Sequence, residues 1–173
     1  MEHVILVDTE DQELGIEEKM AAHLVPQLHR AFSIFLFNSQ RQLLLQRRAL
    51  TKYHSPGLWT NTCCSHPRPG ETLEQATSRR LSEEMGLSCP MHEAFTFIYK
   101  APVGLGLIEH EFDHVWIGIC DETPTINPEE VDSYAYKSLD EIQLDMEQHP
   151  DCYTEWFKIA FQQVCLHAKS LDI

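Results

Sequence analysis

The sequence predicts a mixed α/β (α+β) fold, a β-sheet covered by α-helices, and three observations carry that expectation. Short apolar runs of strand length recur along the chain, bounded by turn residues. The segment from Glu71 to Met85 holds no Gly or Pro, is rich in good helix formers and meets Gly86, a natural helix stop. Near the end, Phe157, Phe161, Val164 and Ala168 recur at spacings of three and four, the stripe of an amphipathic helix.

Taken in order, Val4 to Val7 reads as a short strand and Asp8 to Gly15 as turn chemistry. A polar segment carrying Lys19, His23 and His29 follows. Ala31 to Phe37 is an apolar, aromatic strand, joined to Leu43–Leu45 through Asn38, Ser39, Gln40 and Arg41 as a hairpin. Pro56 and Gly57 break the chain, and Asn61 to Gly86 reads as strand, loop and helix. Ala94 to Tyr99 and His114 to Cys120 are further strands, separated by a loop around Gly104 and Gly106. Ser138 with Glu141 has the form of a capping box, so a helix is expected from about Leu139 to Gln148, ended by Pro150. The last helix runs from Thr154 to Ala168, with Trp156 beside its stripe.

A length of 173 residues with 43% hydrophobic content fits one domain, residues 1–173, with a substantial core. The formal charge of -14 argues against a nucleic-acid partner, so any anionic ligand must meet a local basic pocket. Six cysteines form no C-x-x-C pair, and the start shows no charged-then-apolar signal pattern. A cytoplasmic protein with reduced thiols is expected. No apolar run approaches the roughly 20 residues that span a bilayer, so membrane insertion is not expected, and a monomer is.

Side chains on an extended strand alternate between faces, so Cys64 and His66 would share one face while Cys63 and Ser65 take the other. By the same rule Glu109 and Glu111 would point together. With His23, His29 and His66 they form a candidate metal set, since imidazole and carboxylate ligands suit zinc, manganese, iron or magnesium to differing degrees. Spacing alone does not assemble that set, and E-x-E also describes a solvated strand edge. On the helix, Arg80 and Glu84 share a face, as do Arg79 and Glu83. They could equally be surface ion pairs contributing about 0.3 to 0.5 kcal/mol each.

Aligned on Ser65, the positions Glu71, Arg79, Leu81, Glu83, Glu84, Gly86 and Leu87 resemble the Nudix box, G-x5-E-x7-R-E-U-x-E-E-x-G-U. Two positions depart from it: Ser65 replaces the first glycine, and Arg80 stands where the box has glutamate. Those departures, with TNTCCSHP, EHE, HRAFSIFLFN, the EHVILVD start, LLLQRR and the late run from Tyr153 to Phe157, resemble the type I isopentenyl-diphosphate isomerases, a branch of the Nudix superfamily. The resemblance covers nearly the whole chain. It implies a Nudix-like mixed β-sheet sandwiched between α-helices, and interconversion of isopentenyl and dimethylallyl diphosphate through a tertiary carbocation.

The same resemblance assigns roles. Cys64 and Glu111 fall on the catalytic cysteine and glutamate, Tyr99 on a tyrosine that hydrogen-bonds the acid site, and Trp156 on a tryptophan that stabilises the cation. His23, His29, His66, Glu109 and Glu111 map onto a site for one divalent metal, Zn2+, Mn2+ or Mg2+. A Mg2+ ion bridging the substrate diphosphate to Glu84 is also implied, with Glu83 structural. Lys19, Arg48, Lys52 and Arg80 fall on the diphosphate-binding positions; Arg47 and Lys100 have weaker claims. Two other readings compete: a Nudix hydrolase of a nucleoside diphosphate derivative, and a non-catalytic metal-binding relative.

Overall fold

The computed structural model describes residues 2–170. A β-hairpin opens the chain, β1 (His3–Val7) pairing antiparallel with β2 (Glu13–Glu18), followed by the short helix α1 (Lys19–Leu24). Next come β3 (His29–Phe37), β4 (Leu43–Arg48), β5 (Trp59–Thr60), β6 (Cys63–Ser65), α2 (Leu73–Met85), β7 (Met91–Gly104), β8 (Leu107–Ile119), β9 (Val131–Lys137), α3 (Leu139–Gln148) and α4 (Glu155–Ser170).

At the centre, β3 runs parallel to β8 over nine residue pairs, from His29 opposite Glu111 to Phe37 opposite Ile119. It also pairs antiparallel with β6, placing Cys64 opposite Ser33. A strand buried on both faces reads as a continuous apolar run, which is why HRAFSIFLF shows no polar alternation. Its residues nevertheless divide by parity. Phe32, Ile34 and Leu36 pack with Cys63 against Ala76, Leu81 and Met85 of α2. Phe35 and Phe37 pack on the opposite face with Trp156, Phe157, Phe161 and Val164 of α4 and Ile142 of α3. The sheet is thus held between α2 and the α3/α4 pair. Each fully buried Phe contributes on the order of 2 kcal/mol through removal of its surface from water.

Helix ends follow local chemistry. α2 begins at Leu73 rather than at Glu71, because Thr72 and Gln75 make a reciprocal capping box. Glu71 lies outside the helix and accepts both arms of Arg79, at 2.7 and 2.8 Å. The helix stops at Gly86, whose φ of 64° is left-handed and where a Cβ would lie 2.7 Å from the Thr125 carbonyl oxygen. The capping box expected at Ser138 and Glu141 is present.

Five elements differ from the sequence expectation. Residues 13–18, expected as the end of a turn and a polar segment, form an edge strand whose Leu14 and Ile16 are exposed; backbone pairing, not a buried face, sustains it. α1 has six residues, too few for periodicity to show; the Glu18 carboxylate caps it by accepting from Ala21 N at 2.9 Å. The strand expected at 94–99 is the inner part of the longer β7, and the one expected at 114–120 is the C-terminal half of the longer β8, which ends at Ile119. Their connection is a two-residue turn, Leu105 and Gly106 with φ of 53° and 76°, a geometry that suits the twist of a hairpin. Residues 107–113 lack an apolar strand pattern, because buried Glu109, Glu111 and Asp113 interrupt it, although the strand alternation expected for Glu109 and Glu111 holds. β9, pairing with β4, was also not expected.

Candidate active site and metal centre

Four elements bring imidazoles and carboxylates to one end of the sheet. α1 supplies His23, the first residue of β3 supplies His29, the chain just beyond β6 supplies His66, and β8 supplies Glu109 and Glu111. The His29–Glu111 register of the parallel pair makes those two ligands neighbours by backbone geometry alone. One ligand atom each from His23, His29, His66 and Glu111 lies within 4.8 Å of all the others.

The tautomers are set by the backbone. His23 Nδ1 donates to the Lys19 carbonyl at 2.6 Å and His29 Nδ1 donates to the Gln27 carbonyl at 2.8 Å, since a carbonyl can only accept. Each Nε2 therefore presents a bare lone pair. Both atoms are buried without a hydrogen-bond partner and face carboxylates, His29 Nε2 3.7 Å from Glu111 Oε1 and His23 Nε2 3.9 Å from Glu109 Oε1. Orphaned, buried imidazole lone pairs held from behind by carbonyls are the arrangement of metal ligands, so the residues present fit a divalent metal. Burial pushes His23 down, and it pushes His66 down to about 4 despite the Glu111 carboxylate 2.9 Å away. Neutral imidazoles are the ligating form.

Tyr99 Oη lies 2.7 Å from Glu109 Oε2 and 2.6 Å from Glu111 Oε2. One hydroxyl carries one proton, so it can donate to one carboxylate only. Burial, reinforced by the charge of Glu111, drives Glu109 well above the ordinary carboxylate range. Burial acts on Glu111 in the same direction, but the His66 ring, 2.9 Å from its Oε1, outweighs it, and Glu111 lies well below. Of the two carboxylates, Glu109 is thus the one that keeps its proton more readily and Glu111 the one that gives it up, with the Tyr99 hydroxyl between them.

A cleft opens beside this cluster, lined by Cys64, Tyr99, Glu109, Glu111 and Trp156 together with the cations Lys19, Arg48, Lys52 and Arg80. Burial pushes the Cys64 thiol upward, opposed by Arg48 and reinforced by Glu84, Glu109 and Glu111, so it stays protonated at neutral pH. Asn61 is the strut behind this wall. Its amide donates to the carbonyls of Ile34 and Cys63, and its Oδ1 accepts from Thr60 Oγ1 and from Trp156 Nε1 at 3.2 Å. The cations are held by neighbouring carboxylates and carbonyls: Lys19 by Glu2 at 2.9 Å, Lys52 by Glu130, and Arg80 by Glu84, by Glu83 at 2.8 Å and by Glu130 at 3.2 Å. Arg48 donates to the carbonyls of Ser55 and His54 and lies 5.4 Å from the Trp156 ring centre.

The NUDIX domain family matches residues 27–157. The isopentenyl-diphosphate Delta-isomerase of Pectobacterium atrosepticum is 52% identical over 161 residues, covering 93% of this chain and 90% of that protein. Isopentenyl-diphosphate Delta-isomerase 2 of Aromatoleum aromaticum is 50% identical, covering 99% and 90%. The chain belongs to the isopentenyl-diphosphate Delta-isomerase family of NUDIX-domain proteins. Among solved structures, the DR0079 protein of Deinococcus radiodurans matches with a TM-score of 0.67 at 24% identity, covering 88% of this chain and all of that one. A MutT protein from Methanosarcina mazei Go1 matches at 0.65 and 20% identity, covering 79% of this chain and 91% of that one. At such identities the likeness concerns the fold.

Within this isomerase-family chain, the residues singled out from sequence converge on the cleft and the metal cluster, with Glu84 the one set back. It is buried behind Arg80 and also accepts from Gln46 at 2.9 Å. Of the weaker candidates, Arg47 donates to the Gly57 carbonyl, and Lys100 is exposed on β7. Sequence reasoning missed four cleft residues: Glu2, Tyr53, His54 and Glu130. His54 sits just before the Pro56–Gly57 break and meets a partner 55 residues away, so no local spacing signals it. Burial first, then Arg48 and His23, push its imidazole down to about 3. Among the described residues, no helix is long and apolar enough to cross a membrane.

Proposed function

We propose that this chain interconverts isopentenyl diphosphate and dimethylallyl diphosphate, the activity named for its relatives. A single observation carries the reading. One cleft is lined by a protonated thiol, Cys64, an ionised carboxylate, Glu111, and the Trp156 ring, together with four cations, Lys19, Arg48, Lys52 and Arg80. A short isoprenoid diphosphate calls for both sets of groups, since it joins an alkene to anionic phosphates.

Isomerisation adds a proton to the terminal alkene carbon and removes one from the carbon on the other side of the resulting tertiary cation. It needs one group that carries a proton and one that lacks it, and Cys64 and Glu111 differ in that respect in the free protein. Positioned proton transfer is worth about 10² to 10⁴ in rate. Tyr99, bonded to both Glu109 and Glu111, connects Glu111 to a second proton. Trp156 presents a π face that stabilises a desolvated cation by about 2 kcal/mol. It also closes the cleft against water, which would otherwise capture the cation.

His23, His29, His66, Glu109 and Glu111 would hold one divalent metal, Zn2+, Mn2+ or Mg2+, whose charge would fix Glu111 and set its proton affinity. Lys19, Arg48, Lys52 and Arg80 would bind the diphosphate, with Mg2+ accompanying it at Glu84 once Arg80 turns to the phosphates. Arg80 stands where a Nudix hydrolase box has glutamate. A cation there binds phosphate and removes a carboxylate from the metal set that such hydrolases use.

The test is product analysis. With isopentenyl diphosphate and Mg2+, the expected product is dimethylallyl diphosphate with no phosphate or diphosphate released, and Cys64→Ala is expected to abolish turnover without altering fold or metal content. Release of phosphate or nucleotide from nucleoside diphosphate derivatives, without isomerisation, would refute the reading in favour of a hydrolase.

A further inference from the structure

The carboxylates of the metal cluster are each flanked by two imidazoles, and one of the four belongs to no expected ligand set. Glu111 Oε1 faces His66 Nε2 at 2.9 Å and His29 Nε2 at 3.7 Å. Glu109 Oε1 faces His23 Nε2 at 3.9 Å and, closer, His54 Nε2 at 3.4 Å. His54 is only 6% exposed, and its ring centre lies 6.2 Å from that of His23. Its other nitrogen has just a long contact, 3.5 Å, to Ser55 Oγ. A buried imidazole normally hydrogen-bonds well through at least one nitrogen. This one does not.

Its orientation is nonetheless fixed. Arg48 donates to the His54 carbonyl at 3.2 Å, Tyr53 packs edge-on at 4.5 Å between ring centres, and Trp156 meets it edge-on at 6.1 Å. These contacts hold Nε2 toward Glu109. Donors held about 2.1 Å from one octahedral ion lie about 3 Å apart at adjacent corners and about 4.2 Å apart at opposite ones. The four nitrogen–oxygen separations, 2.9 to 3.9 Å, fall in that range; His23, His29, His66 and Glu111 form the mutually close group, and Glu109 and His54 adjoin it through the 3.9 and 3.4 Å contacts.

We propose that His54 is a further ligand of the divalent-metal centre, its Nε2 joining those of His23, His29 and His66 beside Glu109 and Glu111. The inference rests on the reading that this cluster holds a metal. A set of four imidazoles and two carboxylates is rich in nitrogen, which selects a first-row transition ion such as Zn2+ or Co2+ over Mg2+, whose preferred donors are oxygens. His54 comes from the loop between β4 and β5, the same loop that carries Lys52. The ion would therefore pin that loop, with its diphosphate-facing lysine, against α1 and β8.

The test needs no turnover. Wild type, His54→Ala, His54→Gln and His66→Ala are stripped of metal, then equilibrated with Zn2+ against a competing chelator, and separately loaded with Co2+ for visible absorption. The expected result is one tight Zn2+ per wild-type chain, binding about 10-fold or more weaker in His54→Ala, and a shifted Co2+ band as a nitrogen donor is lost. His66→Ala, which loses an established member of the cluster, should weaken binding at least as much. Zn2+ affinity and Co2+ spectrum both unchanged in the His54 variants, with His66→Ala weakened, would overturn the ligand role of His54 alone. A wild type that binds no Zn2+ would overturn the metal-centre reading with it. Should His54→Ala fail to fold, His54→Gln, closer in volume, supports the same two readings.

Discussion

Tyr99, Glu109 and Glu111 form a triad with one proton fewer than three bases would hold, and its titration sets how the centre takes up metal. Both carboxylates must be ionised to ligate. Because burial raises Glu109 well above its ordinary value of 4.5, an ion must displace its proton wherever that carboxyl is still protonated. Protons therefore compete with metal, and affinity should rise with pH through the range where Glu109 titrates. His66, at about 4, and His54, at about 3, are already neutral near pH 7 and add nothing to that dependence there. Calorimetry in buffers of different ionisation heat, run across the range where Glu109 titrates, should show protons released on ion binding by the wild type and a smaller release by Glu109→Gln. Trp156 has two jobs at this scale, donating to Asn61 and facing the cleft. Trp156→Phe should retain part of the isomerase activity and cost about 1 kcal/mol from the lost hydrogen bond. Trp156→Ala should retain little; steady-state rates equal across all three proteins would show that the ring only packs.

At the level of elements, the three-residue strand β6 separates two adjacent cysteines. Cys63 is fully buried against α2, while Cys64, partly buried, opens on the cleft. Strand alternation makes this division unavoidable, and the chain is anchored from both sides. Asn61 and Thr62 upstream bond the backbone of β3 and β4, and His66 downstream meets Glu111. Cys63→Ala removes one buried sulfur and should cost about 1 kcal/mol in a denaturant titration while leaving kcat and KM close to wild type. Cys64→Ala should show the reverse pattern, normal stability with no turnover. An activity loss common to both variants would mean that β6 tolerates no change in its packing, and the assignment to Cys64 alone would fall. On α2, Glu71, Arg79 and Glu83 form a salt-bridge frame at one side, while Arg80 lines the cleft with Glu84 buried behind it. The box pattern thus splits into a structural half and a half that meets the cleft.

Across the whole molecule, the metal cluster ties α1, β3, the chain after β6, and β8, elements spread over 89 positions from His23 to Glu111. An ion bound at a free concentration 100 times its Kd stabilises the native state by about 2.7 kcal/mol. For a chain of this size that corresponds to a fall in Tm of about 5–10 °C on treatment with a chelator, reversed by adding the ion back. A melting curve indifferent to chelation would show that the cluster does not bind metal tightly. The fold's two layers were legible where burial imposes a period. The parity of β3 and the stripe of α4 follow from a sheet face and a helix face each needing apolar cover. β2, α1, β9 and the outer halves of β7 and β8 were not legible. They are short, or exposed at an edge, or carry buried carboxylates where a core strand would carry apolar side chains.

The sequence alone determined which chemical groups this protein has and which neighbours share a face. Cys64 with His66, Glu109 with Glu111 and Arg80 with Glu84 all follow from the fixed periods of strand and helix. Its motifs also carried the family. Only the tertiary structure decided the distances between groups far apart in the chain: that His29 lies beside Glu111 in a parallel register, that Tyr99 serves two carboxylates, that Glu130 neutralises Lys52 and Arg80, and that His54 turns its nitrogen toward Glu109. The reason is physical. Backbone periodicity acts over a few residues, whereas the proton held by Glu109 and the lone pairs of His23 and His29 are set by burial and by charges that meet only when the sheet closes.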